Sequence, residues 1–403
     1  MWTVLYVPFG ALSGFVAVAL TFLATKNGLS ITEGALLNGA QLLTQWLKWL
    51  WAPVVDITLT PKRWYTISTA LSAIGVATMA AMPMSPSTLL LLLLVIAIAS
   101  LVNSVVGMAI EAMMAAITPR SEIGRVSGWF QAGNLGGAGI GGGLGLLLME
   151  KLPAPWMAGV IMGALFMACC FALLALPDVA AHASKNGALT AVKGVTRDLW
   201  GMIKTRAGLL SAVLCFLPIG TGAAQPVLAQ AAVAARWGAG AAEVEQVQGL
   251  AAGAVTAVGC FVGGWICHRF QPRASYASIG LALAVIACGM ALSPATVTMY
   301  VVWSFVYAFA VGLAYAAFTA VVLDAMGPGS AATKYNIFAS LSNFPIWWAG
   351  LALGRVADVA GPTAMLYGEA ALGVFGVVVF VAVTRLVKKR PHEEAAPALE
   401  AAP

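Results

Sequence analysis

Charged residues are scarce in this chain: Asp, Glu, Lys and Arg make up 9% of its 403 residues, about a third of the share in soluble domains. The composition therefore excludes an ordinary soluble domain. Histidine is nearly missing as well, since the chain has only 3, and all of them fall outside the apolar runs. These counts exclude a metal centre or hydrolytic triad built on histidine inside an apolar core, and we expect no cofactor.

Long polar stretches are also rare, and apolar residues make up 61% of the chain. Runs of about 20 apolar residues, the length that crosses a bilayer, recur from one end to the other. The plainest is "TLLLLLLVIAIASLVNSVVGM", from Thr88. We predict an all-α polytopic protein of the lipid bilayer with twelve transmembrane helices. These spans are centred near residues 14, 44, 73, 98, 137, 166, 220, 255, 283, 311, 344 and 374.

The longest polar connection begins at Pro177 and divides the predicted spans six and six. We therefore expect two six-helix bundles, at 1–176 and 208–387, joined by a cytoplasmic linker at 177–207. Residues 388–403 are charged and then rich in alanine and proline, which is typical of a disordered tail.

Basic residues lie mainly on one side of the predicted membrane. With a cytoplasmic N-terminus, the even-numbered connections and the tail hold 16 of the 21 Lys and Arg. The positive-inside rule then predicts a multi-pass protein of a bacterial inner membrane with both termini cytoplasmic. Because the net charge of +6 comes from these short loops, we expect no nucleic-acid binding.

The two halves contain similar segments. "ITPRSEIGRVSGWFQAGN" (117–134) and "MGPGSAATKYNIFASLSN" (326–343) lie 209 residues apart and align without gaps. The alignment pairs Trp129 with Phe338 and Asn134 with Asn343, and each segment leads into the fifth span of its half. Parallel repeats of this kind are typical of secondary transporters.

Amide side chains inside spans are costly unless they face protein or water, so their positions indicate which helices line a cavity. Spans 3, 6, 9 and 12 have none, and we expect those spans to lie outermost. Trp347 shares a helical face with amides of span 11. We predict that the following residues bind substrate: Asn38, Gln41, Gln45, Lys48, Asn103, Gln131, Asn134, Gln225, Asn336, Asn343 and Trp347.

Span 2 carries a polar stripe. At 100° per residue its members fall within roughly 80° of one another: Asn38, Gln41, Gln45 and Lys48. Because amides share its face, we predict that Lys48 points into a wet interior. The alternative is that its long stem snorkels to the lipid headgroups.

Two acidic residues are candidates for proton coupling, Glu111 and Asp324. Lys48 and Glu111 each lie eight residues before the predicted cytoplasmic end of their spans, so they share a depth and can pair. A charge at the centre of a bilayer costs about 2.5–3.5 kcal/mol or more, which favours pairing. Asp324 either takes part in coupling or caps its helix or binds a loop cation. We interpret Glu369, in an outer span near the far surface, as an interfacial residue.

Span 5 is rich in glycine. Its stretch "GNLGGAGIGGGLG" contains the G-x-G-x-x-G spacing, but no strand precedes it, so nucleotide binding is not indicated. Small residues at this spacing let helices approach closely. We therefore predict a helix-packing face here and a similar one along Gly249, Gly253, Gly259 and Gly263 of span 8.

"GGWICHRFQPR" (263–273), at the end of span 8, resembles the signature loop of the major facilitator superfamily, and "WAPVVDITLTPKR" (51–63) is its counterpart after span 2. In that superfamily these loops latch the cytoplasmic ends of helices together. His268 stands where the superfamily has an acid. The resemblance implies gating roles for Asp56, Lys62, Arg63, His268 and Arg269.

"LKWLWAPVVD" (47–56) is similar to a motif of the peptide/acetyl-coenzyme A transporter branch of this superfamily, which includes AmpG-type muropeptide permeases. "YVPFGALSG" (6–14) and "NGLS" (27–30) resemble its first span and following loop. The resemblance implies the major facilitator fold and transport of muropeptides, with siderophores or acetyl-coenzyme A as alternatives. A drug-efflux antiporter is less favoured, because span 5 has no Gly-Pro pair.

The expected function is that of a secondary active transporter, moving a polar, anionic, medium-sized solute by alternating access. Protons are the expected coupling ion, because the chain has no ATP-binding motif. We do not expect an enzyme, since no base and nucleophile converge within the spans. The repeat argues against a polytopic receptor, and we expect a monomer.

Overall fold

The structure, a computed structural model, describes residues 1–51, 55, 58–117, 123–178, 200–201, 203–326 and 331–387. Regular secondary structure within these ranges is entirely helical, and nine segments are long and apolar enough to cross a membrane. The predicted all-α polytopic fold is therefore confirmed. Most of the predicted linker and the whole tail at 388–403 lie outside the described residues.

Within the described residues, twelve helices, α1 to α12, correspond in order to the predicted spans. In the first half they are α1 (Trp2–Lys26), α2 (Ile31–Leu47, then a 3-10 turn at Lys48–Leu50), α3 (Pro61–Ala81), α4 (Leu89–Ile117), α5 (Ile123–Gly139, extended by Ile140–Leu144 and Gly145–Lys151) and α6 (Pro155–Ala175). In the second half they are α7 (Arg206–Phe216, Gln225–Leu228 and Ala231–Ala234), α8 (Ala241–Gln248 and Leu250–Arg269), α9 (Pro272–Leu292), α10 (Val297–Met326), α11 (331–360) and α12 (362–386).

The nine apolar segments correspond to twelve helices because one segment holds two helices and two further helices, α2 and α7, are not among the nine. One segment holds both α11 and α12, which meet at Gly361 with a φ of 87°. Helix α2 carries too many polar side chains to count as apolar, but Ser30 and Glu33 form a capping box that fixes where it begins. Helix α7 is broken.

The break in α7 runs from Leu217 to Ala224. Gly220 and Gly222 adopt φ values of 62° and 63°, a region in which a side chain is strained, so the break depends on glycine. Ala223 and Ala224 are buried. Irregular backbone at membrane depth is tolerated where it is buried in protein or lines a cavity, and this break does both.

The predicted glycine faces are confirmed as helix contacts. In the first half, a Cβ on Gly141 of α5 would lie 1.8 Å from the carbonyl oxygen of Ala11 in α1. In the second half, a Cβ on Gly259 of α8 would lie 2.2 Å from the carbonyl oxygen of Phe309 in α10. At such crossings the two backbones touch, and only glycine leaves room.

We expect Gly141→Ala to destabilise the protein, because the added methyl group overlaps backbone that cannot move away alone. Overpacking typically costs about 1–3 kcal/mol. Gly136→Ala, in the same helix, is the matched control, because its Cβ would meet nothing within 4 Å. Thermal unfolding in detergent measures the difference. Equal midpoints for the two variants would contradict this α1–α5 contact.

Helix α1 begins and α12 ends on one face, which we call the terminal face; the opposite side is the far face. At the terminal face, Thr3 Oγ1 of α1 donates to the carbonyl oxygen of Trp129 in α5 at 2.9 Å. At the far face the two halves pack together: Thr32 Oγ1 of α2 donates to Asp358 Oδ2 of α11 at 2.8 Å.

Candidate functional site

A central cavity lies between the two halves and has two adjoining lobes. The lysine lobe, about 240 Å³, includes Tyr6, Gln45, Lys48, Glu111 and Asn134 in its lining. The amide lobe, about 230 Å³, is lined in part by Asn38, Gln225, Gln248 and Thr256. Both lobes share Gln41 and Asn343. Among the described lining residues, α3, α6 and α12 contribute none, as the amide pattern predicts for outer helices, whereas α9 departs from that prediction by contributing Tyr276.

Glu111 is the centre of the lysine lobe. Asn336 of α11 donates from Nδ2 to Glu111 Oε2 at 2.9 Å, and Tyr6 Oη of α1 donates to Oε1 at 3.5 Å. The carboxylate in α4 thus contacts both halves of the protein.

Lys48 lies in the same lobe, with 9% of its surface exposed. Its ammonium group is attracted electrostatically by Glu111. The ion pairs found within 4 Å among the described residues do not include these two. Lys48 and Glu111 are thus opposite charges that line one lobe, and an anionic group inside that lobe can compete for the lysine.

The polar stripe of α2 faces the cavity along its length. Gln41 Oε1 and Gln45 Nε2 are buried and have no hydrogen-bond partner among the described atoms. Asn343 Nδ2 of α11 reaches the carbonyl oxygen of Gln45 at 3.4 Å. Because buried polar atoms cost free energy when unpaired, these amides are available to a polar solute.

The amide lobe is shaped by the break in α7. Gln225 Nε2 donates to Gln248 Oε1 of α8 at 3.2 Å, and both side chains line the lobe. Thr221 and Gly222, inside the break, are also part of its lining. A change in the shape of the break would therefore change the lobe.

The repeat pairs two of the lining residues. Asn134 of α5 and Asn343 of α11, which align in the two repeats, both lie in the lysine lobe. The same alignment also pairs Pro119 with Pro328, Ser121 with Ser330 and Arg125 with Lys334, and these lie outside the described residues or side chains, as does the side chain of Gln131.

Three predicted binding residues are not part of the lining of either lobe: Asn336, which donates to Glu111, and Asn103 and Trp347. Asn103 of α4 is fully buried and donates from Nδ2 to the carbonyl oxygen of Phe9 at 3.0 Å, so it joins α4 to α1. Trp347 packs with Trp46 of α2, their ring centroids 5.8 Å apart and nearly parallel. The α2–α11 interface therefore holds this tryptophan, outside both lobes.

The predicted gating residues are found at different places. Lys62 at the start of α3 donates from Nζ to the carbonyl oxygen of Leu176 at 2.7 Å and lies 2.8 Å from Asp178 Oδ1, which joins α3 to the end of α6. The Lys62 ammonium holds the pKa of Asp178 below its usual value. Arg63 is exposed, and Asp56 lies outside the described residues.

The remaining predicted gating residues lie at the end of α8, near α10. His268 and Arg269 are exposed, and the Arg269 guanidinium lies 5.8 Å from the ring centroid of Trp265 on its own helix. The ion pair between helices is made by Arg273 instead, whose Nη2 lies 3.1 Å from Asp324 Oδ2. Sequence reasoning left Arg273 out, although it lies in the quoted loop. Asp324 is thus held at an exposed ion pair, away from both lobes.

The interpretation of Glu369 as an interfacial residue is wrong. Its side chain is buried, with 7% exposure, and Tyr307 Oη of α10 donates to its Oε1. The sequence places Glu369 in an outer helix, but α12 turns this face toward α10 and the break in α7. No local pattern around Glu369 signals such a partner.

Comparisons with known proteins agree with this architecture. The profile of the Major Facilitator Superfamily matches residues 3–349. The crystal structure of the nucleoside transporter NupG is similar, with TM-score 0.65 and 15% identity over 96% of this chain and 98% of that chain. A POT family transporter in complex with a thioalcohol-conjugated peptide has TM-score 0.70 and 10% identity, covering 96% of each chain. A search of curated proteins found no match.

Proposed function

We infer the function from one premise: this chain belongs to the Major Facilitator Superfamily. Its structural neighbours are transporters, and the likeness to them at low identity is one of fold. We propose that it is a proton-coupled secondary transporter that imports a polar, anionic, medium-sized solute, with muropeptides as the first candidate class.

The observation that most directly supports this proposal is a pair of opposite charges in the central cavity. Lys48 is the cationic side chain among the described residues that line the two lobes, and Glu111 shares its lobe. Because an isolated charge at membrane depth is expensive, a buried lysine there is retained for a bound anion or a counter-ion. This supports an anionic solute whose carboxylate binds Lys48.

The cavity supports a solute of intermediate size. Neither lobe reaches the ~300 Å³ that is the lower end for ordinary ligand pockets. A solute with sugar and peptide parts would therefore span both, placing its anionic end at Lys48 and its hydroxyl and amide groups against the unpaired atoms of Gln41 and Gln45. The likeness of "LKWLWAPVVD" to the AmpG-type branch favours muropeptides, and siderophore or acetyl-coenzyme A permeases share that branch.

Proton coupling follows from competition for Lys48. The solute anion and the Glu111 carboxylate are alternative partners for the lysine, so a proton on Glu111 balances its charge while the solute holds Lys48. The proton leaves when the solute leaves and Lys48 is again the partner of Glu111. Asn336, which bonds Glu111 from the other half, would transmit this change between the bundles.

We also propose the setting in which this occurs. The protein lies in a bacterial inner membrane as a monomer, with the terminal face cytoplasmic as the basic loops predict. The far-face contact between Thr32 and Asp358 would then close the cavity to the outside and would have to open during transport.

Uptake into proteoliposomes tests the proposal. With an inward-directed proton gradient, we expect accumulation of a labelled anhydro-muropeptide, and inhibition by the unlabelled compound but not by its carboxyl-amidated form. Protein-free liposomes are the control. Chemical analysis of the solute before and after uptake separates transport from an enzymatic reaction. Uptake of nucleosides or cationic drugs, without uptake of the muropeptide, would contradict the proposed solute class.

A further inference from the structure

Glu369 is a buried carboxyl group that the proposed solute site does not use. It lies seven residues after Pro362, so roughly 10 Å along α12 from its start at the far face. It belongs to neither lobe of the cavity. A carboxyl group at this depth is rare in membrane helices and marks a functional site unless a structural partner explains it.

Its partners belong to two other helices. Tyr307 of α10 donates its hydroxyl to Oε1, and the backbone N–H groups of Ala223 and Ala224 lie near the same carboxyl group. The Ala223 N–H itself donates to Thr221 Oγ1 at 3.3 Å. Ala223 and Ala224 form the end of the break in α7, where backbone N–H groups lack regular helical acceptors. The carboxyl group thus lies beside the break in α7.

The second carboxyl oxygen is free. Glu369 Oε2 is buried and has no hydrogen-bond partner among the described atoms. A proton can bind this oxygen without displacing the Tyr307 hydroxyl from Oε1. Proton binding neutralises the group and weakens it as an acceptor, because bonds to a charged acceptor are about twice as strong as neutral ones.

The other titratable groups on the packed helices are engaged elsewhere or do not contact this carboxyl group. Tyr300 donates to the carbonyl oxygen of Leu228, and Tyr276 to that of Ile219. Arg355 lies 3.9 Å from Asp358 on α11. Cys215 on α7 and Cys288 on α9 are free thiols. Among the described side chains, Tyr307 is the titratable one bonded to Glu369.

We propose that Glu369 is a proton-binding site that controls the break in α7: its ionised form holds Ala223 and Ala224 in place, and its protonated form releases them. The break connects this site to the cavity, because Gly220 and Thr221 line the lysine lobe and Thr221 and Gly222 line the amide lobe. Binding of a proton thus changes the cavity wall. This proposal rests on the proposed function only where it gives the proton-binding site a role in transport.

Hydrogen–deuterium exchange of the purified full-length protein without solute tests this release. After correction for the chemical exchange rate, we expect exchange in the segment 217–228 to rise roughly tenfold on acidification, as a charged acceptor becomes neutral. Glu369→Gln should remove this transition. Infrared spectra should show a protonated carboxyl band that appears over the same pH range and is missing in the variant.

A second pair of variants keeps the test decisive if Glu369→Gln does not fold. Tyr307→Phe removes a donor to the ionised carboxyl group, so the transition should move to higher pH. Tyr300→Phe, on the same helix, removes a hydroxyl bonded to Leu228 and should leave the midpoint unchanged.

Exchange at 217–228 that does not vary with pH in the natural protein, or a transition that persists in Glu369→Gln, would overturn the proposal. Equal midpoints for the two tyrosine variants would overturn it as well. Because no solute is present, an intact transition in a protein that fails to take up muropeptides would count against the proposed function alone.

Discussion

Lys48→Ala is expected to abolish solute uptake while the variant still inserts in the membrane. The substitution removes the cation that faces Glu111 in the lysine lobe and leaves an apolar side chain, which membrane helices accept readily. Truncating one partner of a buried charge pair costs about 2–5 kcal/mol in binding, which corresponds to a loss of roughly 30-fold or more. Uptake of labelled solute and the yield of monodisperse protein are both measured.

Lys26→Ala is the matched control for this variant. Lys26 lies at the far face, and its Nζ is 2.7 Å from Glu150 with half of the side chain exposed. An exposed ion pair contributes at most about 1 kcal/mol, so we expect near-normal uptake. If Lys48→Ala transported as well as Lys26→Ala, the snorkelling alternative would replace the anion-binding role.

Glu111→Gln is expected to separate solute exchange from accumulation. The amide occupies nearly the same space and still accepts a hydrogen bond from Asn336, so the lobe keeps its shape and solute exchange between two equal pools continues. Since glutamine cannot bind and release a proton, accumulation driven by a pH gradient should disappear. Exchange and gradient-driven uptake in the same proteoliposomes give the two readings.

Asp324→Asn provides the comparison for coupling. Asp324 is bonded to Arg273 at an exposed position away from the cavity, so the structure favours a role in joining α10 to α9. We expect this variant to keep gradient-driven accumulation. The reverse result, with accumulation lost in Asp324→Asn and kept in Glu111→Gln, would transfer the coupling role to Asp324.

Much of the site was accessible from sequence because a helix displays its own periodicity. The spacing of Asn38, Gln41, Gln45 and Lys48 places them on one face of α2 wherever that helix lies. A polar face in a membrane helix has to turn away from lipid, so its direction follows from the cost of burying polar groups in hydrocarbon. All four residues line one or both lobes of the cavity.

Other positions depended on neighbours that no single helix specifies. Asn103 and Trp347 lie on polar or aromatic faces as expected, but Phe9 and Trp46 occupy the space beside them. The break in α7 has a local cause in Gly220 and Gly222, yet the glycines alone do not show that the chain leaves the helix there.

The sequence by itself determined the all-α membrane fold, the twelve helices and the polar faces of α2, α5 and α11, because composition and periodicity act within one helix. Only the tertiary structure decided which helix faces pack against each other. Glu369 shows the difference: hydropathy places it in an outer helix, whereas the packing of α12 on α10 and α7 buries its carboxyl group against Tyr307 and the break. Such a contact joins residues more than 60 positions apart, and local patterns carry no information about it.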